Sequence, residues 1–298
     1  MKLKKWLKAG LCLVLALVLV AAVVLFWHFP RYVSRKTLVE QVPDAKNSVT
    51  IMSANVRCLT PLDLGEKSWF YRADLFVQRI AQEMPGIIGF QEVTGWQYDY
   101  LTECLAAFDS VIEYRDESIA SEGCPVFYSR DLYTLVDKGS FWLSETPEVM
   151  SKDWGAACYR ICSYVILTDR QSGKDFVVFN THLDHVSDEA RINGIAVVLD
   201  KIQDFGGLPS VIMGDLNALE DSETYRAVTE HFADAYHTAE QVVGNVTYQN
   251  WGTEGRRIDY FMLSPDSFEV LRCQVVDPVA DGTYISDHSP LLVEFQLK

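Results

Sequence analysis

Eight acid, amide and imidazole residues, spread over more than two hundred positions, share one placement. Asn55, Glu92, His182, Asp215, Asn217, Asp259, Asp287 and His288 each stand at or beside the end of a run that reads as a β-strand. Ile51-Met52-Ser53-Ala54 leads into Asn55, and Ile87-Ile88-Gly89-Phe90-Gln91 leads into Glu92. Val177-Val178-Phe179-Asn180-Thr181 leads into His182, and Val211-Ile212-Met213-Gly214 leads into Asp215. Strand ends are where an α/β scaffold exposes side chains for chemistry. Carboxylates and amides are hard oxygen donors, suited to magnesium or manganese rather than zinc. Two histidines with acids nearby suit proton transfer and neutralisation of phosphate charge.

The elements that must position these residues follow from periodicity. Val49–Val56 reads as a first strand. Apolar residues from Trp69 to Met84 recur at helical spacing, and Pro85-Gly86 ends that helix. A second helix is expected over Trp96–Ala107. The middle is strand-rich: Val111–Tyr114, Pro125–Tyr128, Leu132–Leu143, Tyr159–Thr168 and Phe176–Asn180. Ser187 reads as the N-cap of a helix reaching Phe205, with Asp188 and Glu189 favourable in its first turn. Pro209–Met213, Arg257–Leu263, Phe268–Val276 and Leu291–Gln296 complete the strands. Strands outnumber helices, which makes the chain α/β without the regular alternation of a doubly wound sheet.

The order of Gln91-Glu92, Asn180-Thr181-His182, Gly214-Asp215-Leu216-Asn217 and Ser286-Asp287-His288 resembles the endonuclease/exonuclease/phosphatase superfamily. That group includes pancreatic-type deoxyribonucleases, abasic-site endonucleases, sphingomyelinases, inositol phosphatases and deadenylases. The resemblance covers residues 48–298. It implies a four-layer αββα sandwich of two mixed sheets flanked by helices, with the catalytic loops at one edge. It also implies a Mg2+ (or Mn2+) cofactor and hydrolysis of a phosphodiester or phosphomonoester by metal-assisted water.

On this resemblance Glu92 is the principal metal ligand, Asn55 orients the metal or binds phosphate, and Asp287 is a further ligand. Asp215 orients or deprotonates the water, and Asn217 holds transition-state oxygens. His182 donates to a phosphate oxygen, and His288 is the second imidazole with Asp259 as its carboxylate partner. Arg115, Glu122 and Arg160 resemble positions around the substrate pocket. Arg160 would clamp phosphate with its planar fork; Arg72 is open between a similar task and a solvated helix face. His185 is expected to support these groups from behind. The stretch Gly139–Pro147 resembles the deadenylase-like branch. Cys124, and Tyr248-Gln249-Asn250-Trp251 in place of a Phe-His-Gly turn, depart from that branch and put its substrate in doubt.

The N-terminus is a separate unit. Lys2, Lys4, Lys5 and Lys8 precede Ala9–Pro30, which carries no formally charged side chain and is long enough for one bilayer span. A cleaved signal peptide competes, but cleavage after Ala21-Ala22 would fall inside the apolar run. The expected organisation is a signal-anchor over 1–30, a polar linker over 31–47 and the catalytic domain over 48–298. The protein would then be single-pass in the cell membrane with its catalytic domain outside the cytoplasm.

Seven of the chain's 26 basic residues and none of its 41 acids precede residue 37, leaving the remainder at 19 against 41, a net −22. Such a surface disfavours long duplex nucleic acid. The expected partner is a small phosphoester, a lipid headgroup or a short oligonucleotide end, taken by a monomer. Two alternatives stay open: a nuclease on DNA or RNA, and a catalytically silent binding module of the same fold. Cys12 lies in the apolar stretch; the other six cysteines permit disulfides outside the membrane but match no framework, and they read as small buried hydrophobes.

Overall fold

The computed structural model describes residues 2–42 and 47–298. Helix α1 (Lys2–Leu25) and the short α2 (Phe29–Ser34) precede strand β1 (Val49–Asn55). Then come α3 (Trp69–Glu83), β2 (Ile87–Gln91), α4 (Gly95–Cys104), β3 (Phe108–Val111), β4 (Val126–Ser129), β5 (Tyr133–Trp142), β6 (Ile161–Asp169) and β7 (Asp175–His182). The second half holds α5 (Asp188–Gln203), β8 (Ser210–Asp215), α6 (Glu223–Thr229), β9 (Ala233–Asp234), α7 (Ala235–Thr238), β10 (Gln241–Val243), β11 (Asp259–Leu263) and β12 (Phe268–Val275). A small hairpin of β13 (Val279–Ala280) and β14 (Thr283–Tyr284) leads to β15 (Leu291–Leu297).

Two mixed sheets face each other. One runs β10-β12-β15-β1-β2-β4-β3 and the other β5-β6-β7-β8-β11-β9. Period-2 alternation explains the layers. Ile51, Ile87, Val126, Val178, Met213, Phe261 and Val293 point between the sheets and form the central core. Their neighbours Met52, Ala54, Ile88 and Phe90 point outward onto Trp69, Phe76, Tyr100 and Leu101 of α3 and α4. Val177, Phe179, Ile212 and Tyr260 point the other way onto Ile195, Val198 and Val228 of α5 and α6. The result is the helix–sheet–sheet–helix sandwich expected from the sequence.

Ser187 caps α5 as expected, accepting the Ala190 N–H. The helix expected from Trp96 starts at Gly95, where Thr94 and Gln97 form a capping box, and ends at Cys104, three residues short of the expected Ala107. The first strand of the middle region lies at Phe108–Val111 rather than Val111–Tyr114. All seven cysteines are free, and Cys104, Cys124, Cys162 and Cys273 are buried.

The linker expectation is corrected. Residues 31–42 are not a polar stalk. Val39 and Val42 are buried, Val39 exchanges backbone hydrogen bonds with Cys104 and Ala107, and Tyr32 stacks on Tyr100 at 4.6 Å. Apolar and aromatic residues interleaved among Arg31, Arg35 and Lys36 anchor the segment on α3 and α4. The linker's last portion, Pro43-Asp44-Ala45-Lys46, lies outside the described residues.

Candidate active site

β1, β2, β7 and β8 end at one edge of the sandwich, and β11 begins there. Asn55, His182, Asp215 and Asp259 are the terminal inward-facing positions of their strands, one layer above the apolar core. Register fixes their adjacency: His182 pairs with Asp215 across β7 and β8, and Asp259 pairs with Asp215 across β8 and β11. Gly214 permits the close approach. It sits at φ +136°, and a Cβ there would lie 1.9 Å from the Thr181 carbonyl oxygen. Beneath this layer a buried amide network ties the sheets together: Gln91 donates to Asn180 at 2.7 Å and to Ser53 at 3.1 Å.

Three non-glycine residues here adopt left-handed backbone: Arg57 (φ 56°), Glu92 (φ 64°) and Asn217 (φ 49°). Each such position costs on the order of 1–3 kcal/mol and persists only when its surroundings enforce it. At Glu92 the kink ends β2 and directs the carboxylate into the cleft. Its Oε1 accepts from Asn55 Nδ2 at 3.0 Å and its Oε2 from the Cys58 N–H at 2.9 Å. The same Asn55 amide reaches Asp215 Oδ2 at 3.2 Å, while its carbonyl accepts from Arg57 N–H. Asn55 therefore holds two carboxylates in place through its donor end. Asn217 donates its N–H to Asp215 Oδ1 at 2.9 Å and its amide to Leu183 O at 3.1 Å.

Around Asp215 Oδ2 lie His182 Nε2 at 3.4 Å and His288 Nε2 at 3.6 Å. The other ring nitrogen of His288 meets Asp259 Oδ2 at 2.9 Å. Asp259 is itself fixed by Thr247, whose hydroxyl accepts its N–H. The Tyr248–Trp251 turn supports this arrangement. Gln249 donates to Ser286 O at 2.8 Å, the Gln249 and Asn250 N–H groups donate to Asp287 O, and the Tyr248 ring packs on His288 at 4.9 Å.

The electrostatics follow from burial and neighbours. Burial and the adjacent Asp259 push the Asp215 carboxyl up to about 7. Burial opposes charge on His288, but Asp259 and Asp215 outweigh it and raise the imidazole to about 10. Burial and the Arg160 charge hold His182 well below its usual value. Burial also raises Glu92, but the Cys58 N–H and the Asn55 amide more than offset it, so the carboxyl lies below its ordinary range. Asp287 is raised by burial and by Glu92.

Two oxygen-rich arrangements could hold a cation. Asp215, Asp259 and His288 offer atoms within 4.8 Å of one another. There, however, His288 Nδ1 is already bonded to Asp259 and its Nε2 lies 3.6 Å from Asp215, so the three groups already satisfy one another. Glu92 and Asp287 share the cleft, raise each other's charge cost and have lone pairs free of hydrogen bonds. This donor set fits a hard divalent cation.

The cleft encloses about 400 Å³. On one wall Arg115 grips Glu122 with two nitrogens, both at 2.8 Å. Arg160 reaches His185 Nδ1 at 3.0 Å and approaches Asp184 at 3.7 Å. Twelve of the thirteen residues singled out from the sequence thus meet at this edge, His185 lining the cleft itself rather than standing behind it. Arg72 does not, and that expectation is corrected. It is fully buried in α3, where its guanidinium donates to the carbonyls of Lys67, Val56, Ile285 and Arg57. An Arg in the first turn of a helix offers no sign that four backbone carbonyls need it.

Arg57, Cys58, Cys158 and Arg256 also line the cleft without having been marked by the sequence, and Tyr248, noted there only as part of its turn, lines it too. Arg57, two residues past Asn55, approaches Asp287 at 3.8 Å and bonds Asp63 at 3.0 Å. Asp184 was also missed; its carboxylate accepts four backbone N–H groups, from Ala157, Cys158, Val186 and Ser187. Its place two residues after His182 was the available signal.

Residues 52–288 match the family described as Endonuclease/Exonuclease/phosphatase family. A solved endonuclease/exonuclease/phosphatase from Bacteroides vulgatus is 32% identical, with a TM-score of 0.81 over 85% of this chain and 100% of that one. The mannosyl-6-phosphatase Bt3783 of Bacteroides thetaiotaomicron is 31% identical, with a TM-score of 0.76 over 83% of this chain and 99% of that one. Nocturnin of Drosophila melanogaster is 25% identical over 279 residues, which span 77% of this chain and 42% of Nocturnin's own length.

Proposed function

The chain belongs to the endonuclease/exonuclease/phosphatase family of phosphoester-hydrolysing enzymes, and from that premise we propose that it hydrolyses a small or terminal phosphoester at an extracytoplasmic membrane surface. The single observation that carries this reading is the convergence on Asp215 Oδ2 of two imidazoles and an amide within 3.6 Å. Glu92 and Asp287 would hold a divalent cation, magnesium or manganese. When bound, that ion supplies charge neutralisation and lowers the pKa of water.

The chain's own residues do the rest. Asp215, poised near neutrality, takes a proton from the attacking water. The water oxygen bonds phosphorus in line, and the phosphorus–oxygen bond to the alcohol breaks. His182 donates to a non-bridging oxygen. His288, held charged by Asp259, neutralises the negative charge that develops. Arg115 and Arg160 line the wall where the rest of the substrate lies.

A cleft of about 400 Å³ in a domain of net −22 favours a compact phosphoester over a duplex, and similarity to a mannosyl-6-phosphatase supports the same side. The similarity to Nocturnin keeps a nuclease as the second reading. The full chain, assayed with Mg2+ against sugar phosphates, lipid phosphoesters and oligonucleotides, decides between them. Turnover of a compact monoester or diester above that of oligonucleotides is expected. Preferred cleavage of polynucleotide would promote the nuclease, and no turnover of any class would leave the silent binding module.

A further inference from the structure

The N-terminal apolar helix does not join the domain at an arbitrary point. α3 and α4 both begin at the edge where β1 and β2 end, the catalytic edge. The chain leaving α1 docks on the first turns of those two helices. Phe26 stacks on Phe70 at 5.6 Å, Phe29 meets Phe70 at 5.5 Å and Trp96 at 6.1 Å, and Tyr32 Oη donates to Trp96 O at 3.0 Å. From there the chain runs away from that edge: Tyr100 Oη donates to Arg35 O, and the Val39 N–H reaches Cys104 O in the last turn of α4. The apolar stretch from Gly10, exposed along its length, therefore approaches from the catalytic side. No polar stalk separates the two.

A second, independent observation agrees. Leu62, Leu64, Ile119, Val186 and Leu219 are exposed large apolar side chains on connections that leave this same edge, Leu62 at 84% and Ile119 fully. At the opposite edge the connections 84–86, 129–132, 170–174 and 204–209 expose none among the described residues, and Leu38 is exposed on the segment that leads to β1. Scattered exposed apolar residues need no explanation, but a set gathered mainly at one edge and continuous with the N-terminal apolar helix does.

We propose that the catalytic edge rests on the bilayer that holds the N-terminal helix, and that the cleft takes a phosphoester carried by a lipid of that bilayer. The inference rests on the phosphoesterase reading for the substrate and on the uncleaved span for the orientation. Trp27 and Tyr32 sit at the interface depth that aromatic rings favour. Leu62 and Leu64 enter the headgroup layer. Asp116, Glu117 and Glu122 flank Ile119 and keep that loop at headgroup level.

The test uses the full chain in phosphatidylcholine vesicles, with the photo-cross-linker p-benzoylphenylalanine in place of Leu62, Ile119 or, as an opposite-edge control, Ser172. Lipid adducts at the first two positions and none at Ser172 are expected. Adducts at Ser172, or their absence at Leu62 and Ile119, overturn the orientation. In parallel, phosphatidic acid in the vesicle is compared with its soluble dihexanoyl analogue. Leu62→Ser with Leu64→Ser should lower turnover of the bilayer substrate roughly tenfold, the loss from withdrawing two partly buried leucines from an apolar layer, and leave the soluble analogue unchanged. Equal loss on both substrates refutes the lipid-borne substrate. Hydrolysis of neither, with the expected cross-links, refutes the phosphoester half while the orientation stands.

Discussion

At the scale of single residues, the account assigns distinct jobs to groups a few ångströms apart. Asp215→Asn and His288→Ala should each lower kcat by at least about 10²-fold, the low end for losing a positioned proton-transfer group, measured on whichever phosphoester the chain turns over. Both sit at a sheet edge, so circular dichroism should show a native fold; unfolded variants with undiminished specific activity would make the residues structural. Asp259→Asn leaves His288 in place but removes the carboxylate 2.9 Å from its Nδ1, so its effect should appear in kcat with little change in KM. Arg72 is the contrasting case. Arg72→Met strands four backbone carbonyls, and a cost of about 3 kcal/mol in unfolding free energy is expected. Thermal denaturation checks it, and a variant of wild-type stability with weakened substrate binding would restore the role first expected from sequence. Arg72 and Arg160 look alike in sequence because a helical or loop arginine carries no mark of what it will face. Their fates were decided by residues such as Ile285 and His185, far away along the chain.

At the scale of elements, the site is a product of strand register. Gly214 lets β8 press against β7, so Gly214→Ala should misplace Asp215 against His182 and destabilise the sheet by about 3 kcal/mol or more, toward the upper end for one substitution. Chemical denaturation with a parallel activity measurement would detect both effects, and an unaltered protein would show that the close approach is not required. Much of this level was legible. The apolar runs leading into Asn55, Glu92, His182 and Asp215 marked the strands, and the polar residue ending each lies at the cleft edge, but which residues face inward was not legible because both faces of these strands are covered. The segment over 31–42 was misread because its charges at Arg31, Arg35 and Lys36 dominate the composition, while Phe29, Tyr32, Val39 and Val42 do the packing. The short α6 and α7 and the β13–β14 hairpin carry too few residues to show a period. If α2 is part of the domain, Tyr32→Ala should lower the domain's unfolding midpoint, because the ring packs on both Phe70 and Tyr100. A polar stalk would tolerate that change without effect.

At the scale of the whole molecule, charge and shape act together. A net −22 domain binding a long polyanion would need a concentrated basic track, whereas the cleft offers Arg57, Arg115, Arg160 and Arg256 around acids. Any affinity for duplex DNA should therefore vary shallowly with salt, equivalent to about one or two phosphate contacts rather than many, at a slope of about −0.9 per contact. A steep slope with efficient duplex cleavage would contradict the account. The central claim is that hydrolysis is metal-supported and runs through the Asp215 cluster. Its most direct test is single-turnover phosphoester hydrolysis by the full chain, with Mg2+ or Mn2+ and then in excess chelator, for the wild type, Glu92→Ala and Asp215→Asn. The account predicts turnover that chelation abolishes and added metal restores, Glu92→Ala requiring more metal, and Asp215→Asn remaining slow at any metal concentration. Undiminished turnover in chelator, or an Asp215→Asn variant rescued to wild-type rate by metal alone, would contradict it.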